Sequence, residues 1–340
     1  SLVEEIEKDG FRIDYKNDME LVSDTSYAIC KSMGKELAGF ADIFEEADLD
    51  MLVLLGDRFE IQMAAVAAML YRIPVAHIHG GELTQGLMDD AIRHSVTKMS
   101  DLHFTSTSEY AQRVIQMGEQ PERVFCVGAL GIENIKSIRL LSREQLCQKF
   151  GDIFLHNYIM VTYHPVTLEK HTAGIQFQKL LNVVENHPEY HYIFTYANAD
   201  TDGAIINKMI ESYTQEHKNT KAFVSMGQLG YLSALQYCSA VLGNSSSGII
   251  EAPSFHIPTI NIGDRQKGRV RAKTVIDCGY ETRDIEQALT ESQNQKFKDL
   301  CQESTNPYEG KNTSEQIIMQ IKKYLNQVQG KQKIFYDIEV

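Results

Sequence analysis

Short β-rich apolar runs alternate with amphipathic or apolar helical stretches along nearly the whole chain. The runs at 51–55, 74–78, 102–105 and 124–127 read as strands, and so do those at 158–163, 192–196, 221–224, 240–242 and 259–262. Between them, 58–71, 89–99, 175–184 and 204–215 carry helix-like patterns. Strands that are apolar at nearly every position are buried on both faces, the condition of a parallel sheet covered by helices on each side. The pattern predicts an α/β chain with two Rossmann-like domains. The alternation weakens between about 135 and 154, a charged and helix-prone stretch, and the interdomain linker is expected there. That gives a first domain over 1–145 and a second over 146–312. A last helical segment (314–328) and tail, 313–340, are expected to pack back on the first domain.

The opening is unusual. Residues 2–8 read as the end of a helix and 11–14 as strand-like. A doubly wound domain ordinarily opens on a buried strand and a Gly-rich turn. Neither is present, so the first strand is expected to have been lost from this sequence.

Composition narrows the class. A chain of 340 residues suits two domains of ordinary size, and 43% hydrophobic with 23% charged residues is normal for packed globular cores. The net charge of −13 argues against a nucleic-acid partner, although a local cation cluster can still hold a phosphorylated small molecule. Cys30, Cys126, Cys147, Cys238, Cys278 and Cys301 lie far apart with no Cys-x-x-Cys pair, which suits reduced thiols in a cytoplasmic protein. The longest uninterrupted apolar run, 63–71, is far short of a membrane span, so no membrane partner is expected.

Four constellations could carry chemistry. Gly56-Asp57-Arg58 follows the first apolar run, where open α/β sheets place working side chains; helix capping by Asp57 is the plainer reading. His77-Ile78-His79-Gly80-Gly81-Glu82 is followed by Asp89-Asp90-Ala91-Ile92-Arg93-His94. On a strand His77 and His79 would share one face, and the glycines permit a sharp turn before Glu82. Asp89/Arg93 and Asp90/His94 are spaced to pair on a helix at i,i+4. Crowded carboxyls and imidazoles drive their pKa values apart, which suits general acid/base work. A metal site built on the two histidines competes with that reading.

The third, Gly243-Asn244-Ser245-Ser246-Ser247-Gly248, lies between a strand and a helix start and would direct N–H groups and hydroxyls at a phosphate or diphosphate. Glu251, expected on the first turn of that helix, could accept from a ribose. The fourth places Arg265, Lys267, Arg269 and Arg271 just after a strand, either to neutralise a diphosphate or as a solvated basic loop. Tyr163-His164-Pro165-Val166-Thr167 ends another strand and would face the same cleft.

Taken together, Gly56-Asp57-Arg58-Phe59-Glu60, the His79–Glu82 turn, Asp90–His94, the Gly243–Gly248 loop and Gly263-Asp264-Arg265-Gln266-Lys267-Gly268-Arg269 resemble the UDP-N-acetylglucosamine 2-epimerases, most of all the hydrolysing branch of sialic-acid synthesis. The similarity runs in order from about Ser1 to Asp337. It implies the GT-B fold with the active site in an interdomain cleft, a UDP-GlcNAc substrate, and a homo-oligomer, dimer or tetramer; no cofactor is expected, and with no further His or Cys cluster at ligand spacing no metal either. It implies elimination of UDP through a 2-acetamidoglucal, then hydration to N-acetylmannosamine. By position, Asp57, Glu82 and Asp89 or Asp90 become acid/base candidates, with His164 beside the sugar. Arg58, Arg93 and His94 become further substrate contacts. Asn244, Ser245, Ser246, Ser247, Gly248, Arg265 and Arg269 fall in the diphosphate region, and Glu251 matches a ribose ligand. Several relatives carry Glu where this chain has His79, which leaves open whether His79 or Glu82 transfers the proton.

Overall fold

The structure is a computed structural model and describes residues 2–23, 25–84, 88–166, 172–197, 203–327 and 332–339. Ten strands are present among them. They are β1 (Leu52–Leu55), β2 (Val75–Ile78), β3 (Leu102–Thr105), β4 (Val124–Cys126), β5 (Tyr158–Thr162), β6 (His191–Thr195), β7 (Thr220–Phe223), β8 (Ala240–Gly243), β9 (Thr259–Ile262) and β10 (Val275–Cys278). The helices of the first half are α1 (Leu2–Lys8), α2 (Ser26–Glu46), α3 (Phe59–Tyr71), α4 (Met88–Met99), α5 (Ser108–Gln116), α6 (Leu130–Ser137) and α7 (Arg143–Phe150). Those of the second are α8 (Ala173–Asn186), α9 (Gly203–Glu216), α10 (Gly227–Leu235), α11 (Ser246–Ile250), α12 (Thr282–Gln293), α13 (Gln295–Glu303) and α14 (Thr313–Leu325).

The strands form two all-parallel sheets, as continuously apolar strands predict. One runs β1-β2-β3-β4 in chain order. The other runs β10-β9-β8-β5-β6-β7. In that second sheet the chain steps outward from β5 through β7, then returns to the far side of β5 with β8. The direction of winding therefore reverses between β5 and β8, and the crevice outside the carboxyl ends of such a pair is where open α/β sheets bind ligands.

The contacts divide the chain into two compact units. Among the described residues, the first holds those up to Glu82, those from Met88 to Cys126, and those from Glu315 on; the second is built on Val127–Ser314. The core of the first packs Ala65 and Ala68 of α3 and Val96 of α4 onto Leu54 and Val75. The core of the second packs Phe177, Leu180 and Leu181 of α8 and Ile285 of α12 on Val161, Phe194 and Leu242.

Several local expectations fail. Residues 11–14 form no strand, and most of that stretch is exposed. β10 went unread because its four residues are nowhere fully buried, so the apolar signature of an inner strand is diluted by Asp277. α2 buries Ala28, Ser32, Glu36 and Phe44; two polar residues on the inner face hide its period. Thr167 and Val328, included in two of the expected segments, lie outside the described residues.

Candidate active site

In the first unit the candidate groups gather where β1, β2 and α4 meet. Arg93, on the second turn of α4, is 1% exposed and organises them. Its guanidinium pairs with Asp57 just after β1, donates to Asp90 Oδ1 at 2.9 Å, and donates to the Glu82 carbonyl at 2.8 Å. One cation thus fixes three elements, and its planar fork suits that task. Arg93 was expected to meet substrate; it is instead committed to protein acceptors.

One pairing departs from the expected helix register. Arg93 bonds Asp90 at i,i+3 rather than Asp89 at i,i+4, because its other arm reaches across to Asp57. The His94–Asp90 contact does occur, at 3.9 Å, too long for a hydrogen bond. Asp57 does not cap α3: Arg58 is the N-cap, with no side-chain bond to the helix. Arg58 is largely exposed and pairs with Glu60 at 3.1 Å.

Asp89 sits in the first turn of α4. Burial, and then the neighbouring Asp57 carboxylate, push its carboxyl above the usual range. That shift favours the protonated form of Asp89. Burial also lowers His94, with Asp90 opposing.

The turn after β2 is built on steric limits. Gly81 has φ +78°, and a Cβ there would strike the Tyr110 carbonyl, so only glycine fits. Arg113 clamps the Gly81 carbonyl at 2.5 Å. Glu82, mostly buried, accepts from Ser106 Oγ at 3.0 Å and has His79 Nδ1 3.8 Å away.

The paired-histidine metal reading fails on geometry. β2 ends at Ile78, and His79 stands in the left-handed region at φ +70°, so the two rings do not share a strand face. His77 is fully buried with Nε2 at 2.8 Å from the Gly56 carbonyl, and burial pushes it down to about 4. It is a neutral strut between two strand ends. Among the described residues no group of three His, Cys, Asp or Glu could hold a metal ion.

In the second unit the candidates meet at the β5/β8 reversal. Gly243 ends β8 with φ +141°, and a Cβ would collide with the Thr162 carbonyl at the end of β5. Asn244 is fully buried and stitches the two strand ends: it accepts from His164 N at 2.7 Å and donates to His164 O at 2.8 Å. Its side chain is thus structural, contrary to the expected ligand role. Gly248 is likewise a packing residue, since a Cβ would meet Thr259 Cγ2 at 2.6 Å.

Ser245 caps α11, accepting from Ser247 N at 3.3 Å. Ser246 and Ser247 open the helix, which is only five residues long. Glu251 therefore lies just past its end rather than on its first turn, and accepts from Ser247 Oγ at 2.5 Å. Burial raises its carboxyl, against that hydroxyl bond. Arg265 docks on the Asn244 carbonyl at 3.1 Å, joined there by Gln266 Nε2 at 3.0 Å. Burial, then the Arg265 cation, push His164 down to about 4, so it acts as a neutral imidazole. Of the four clustered cations, Arg271 is taken by Asp277 of β10 at 2.7 Å.

Beside Ser245 and Ser247 lies a pocket of about 340 Å³, lined also by Thr162, Thr195, Gln228 and Tyr231. None of those four was legible as a site residue; each is ordinary in its own stretch, and only the strand order brings them together. Thr162 and Thr195 touch through their hydroxyls at 2.5 Å.

The model of the UDP-N-acetylglucosamine 2-epimerase family matches residues 2–322. The polysialic acid biosynthesis protein P7 of Escherichia coli is 41% identical over 334 residues, covering 98% of this chain and 85% of that protein. The hydrolysing GDP/UDP-N,N′-diacetylbacillosamine 2-epimerase of Campylobacter jejuni is 41% identical over 295 residues, 86% of this chain and 76% of that one. Among solved structures, UDP-GlcNAc 2-epimerase from Neisseria meningitidis bound to UDP-GlcNAc superposes with a TM-score of 0.79 at 20% identity, over 95% of this chain and 88% of that one. That likeness supports the GT-B-like fold of two parallel-sheet α/β domains. Family match and sequence identity together show that the chain belongs to the UDP-N-acetylglucosamine 2-epimerase family.

Proposed function

We propose that the chain is a hydrolysing 2-epimerase that converts UDP-GlcNAc and water to N-acetylmannosamine and UDP. What carries the reading is the knot of carboxyl groups around Arg93, with Asp89 biased toward its protonated form. The C2 proton leaves to a carboxylate as the C1–O bond breaks and UDP departs, forming the C1=C2 bond of 2-acetamidoglucal. Water then adds its hydroxyl to C1, and a proton returns to the opposite face of C2. Asp57 and Glu82 are the proposed proton-transfer carboxylates, and Asp89, biased by burial toward its protonated form, is the proposed donor.

Departure of UDP calls for charge stabilisation, which Arg265, Arg269 and the N–H groups and hydroxyls of Ser246 and Ser247 supply in this reading. Glu251 and Ser247 hold the ribose. The pocket of Thr162, Thr195, Gln228 and Tyr231 takes the base in this reading, since it adjoins Ser247 and its volume of about 340 Å³ leaves room for a pyrimidine. His164, neutral at ordinary pH, acts as a hydrogen-bonding group beside the sugar. The scattered cysteines suit a cytoplasmic location, and the family resemblance adds a dimer or tetramer.

A second substrate, UDP-N,N′-diacetylbacillosamine, is favoured by the 41% identity to the Campylobacter jejuni enzyme. Incubation with each sugar nucleotide, followed by assay of free UDP, separates the two. Faster release from UDP-GlcNAc is expected; faster release from the diacetyl sugar moves the assignment to that substrate, and no release from either defeats hydrolysis.

A further inference from the structure

At the end of α4 away from the carboxyl knot, a lysine from far along the chain enters the first unit. Lys333 Nζ lies 2.7 Å from the carbonyl oxygens of Lys98 and Ser100 and 2.8 Å from Glu119 Oε2. An ammonium has three N–H donors, and these acceptors take all three. Two of them are carbonyls at the helix end, which no intrahelical donor serves. A cation at that end also complements the helix dipole. Glu119 is itself fixed by Lys98 Nζ at 2.7 Å and His103 Nε2 at 2.8 Å.

The segment that delivers the lysine is held at successive residues. Arg123 donates to Gln332 O at 3.1 Å, Ile334 N to Gln120 Oε1 at 3.1 Å, and Tyr336 N to Gly118 O at 2.9 Å. The Phe335 ring packs on Gly118, with Lys98 Nζ 4.9 Å from its centroid. The opposite end of α4 carries Asp89, Asp90 and Arg93. Between the two ends, Thr97 packs against the β2 turn so tightly that a Cβ on Gly80 would lie 3.2 Å from both Thr97 Oγ1 and His77 Nδ1. A twelve-residue helix spans about 18 Å and is stiff, so an anchor at one end sets the position of the other.

We propose that Lys333 is a positioning residue for the reaction, tying the far end of α4 to Glu119 and thereby setting where the helix presents Asp89, Asp90 and Arg93 to Asp57. This rests on the acid/base role assigned to those groups above. In Lys333→Met the carboxylate of Glu119 keeps Lys98 and His103, so no buried charge is stranded.

The test combines hydrogen exchange, UDP calorimetry and turnover on intact protein. Amides of residues 89–94 are expected to exchange about tenfold faster in Lys333→Met. kcat should fall about tenfold to a hundredfold, UDP affinity should stay within about twofold, and Lys333→Arg should recover most of the loss in kcat. Unchanged exchange at 89–94, unchanged kcat, or a joint fall of kcat and UDP affinity overturns the proposal. If the unaltered protein turns over neither sugar nucleotide, the functional reading fails and the exchange result alone decides the tether. If Lys333→Met does not fold, Phe335→Ala loosens the same segment without touching the buried charges, and the same readouts apply.

Discussion

Asp57→Asn is expected to lower kcat for UDP release by about a hundredfold to ten-thousandfold, the range for loss of a positioned proton-transfer group. UDP affinity should stay within about twofold. Asparagine keeps an oxygen that can accept from Arg93, so the knot around that cation holds while the carboxylate is lost. Steady-state kinetics with UDP calorimetry reads both quantities. A fall in kcat smaller than about tenfold would remove Asp57 from the chemistry and leave it a partner of Arg93.

Arg93→Met is the most damaging single change expected for stability. The side chain is 1% exposed and serves Asp57, Asp90 and the Glu82 carbonyl together. Removing one member of a buried ion pair costs about 3–5 kcal/mol, and because Asp57 and Asp90 keep partial access to water the loss is expected at the lower end of that range. Denaturant unfolding measures the loss. In an Asp57→Asn background the same substitution should cost less, since one of the stranded charges is already gone. Equal losses in the two backgrounds would show that the Asp57 charge contributes nothing to the effect of Arg93. Turnover should fall as well, because the carboxyl groups lose their common anchor.

The inner strands were legible because burial on both faces leaves little choice of residue: every position of β5 and β8 is buried, and both were read nearly to their ends. α2 was not, because Ser32 and Glu36 lie on its inner face. The candidate groups were found through strand ends and Gly turns, which are local signals. Their partners were not, because partnership is long-range. Asp57 reads as a cap within its own stretch, and nothing there shows that Arg93, 36 residues on, will claim it. Asn244 looks like part of a phosphate loop, yet its amide joins two strand ends separated by 80 residues. The pocket beside Ser247 had no sequence signal: Thr162 and Thr195 meet only through the pairing of β5 with β6, and Tyr231 joins them from α10.

The central claim is that the chemistry passes through loss and return of the C2 proton, and isotope incorporation tests it most directly. Reaction of UDP-GlcNAc in D₂O, followed by mass and proton spectra of the released sugar, should give N-acetylmannosamine carrying one deuterium at C2, with free UDP in equal amount. Released sugar with its original hydrogen at C2 would contradict elimination, and with it the roles given to Asp57, Glu82 and Asp89.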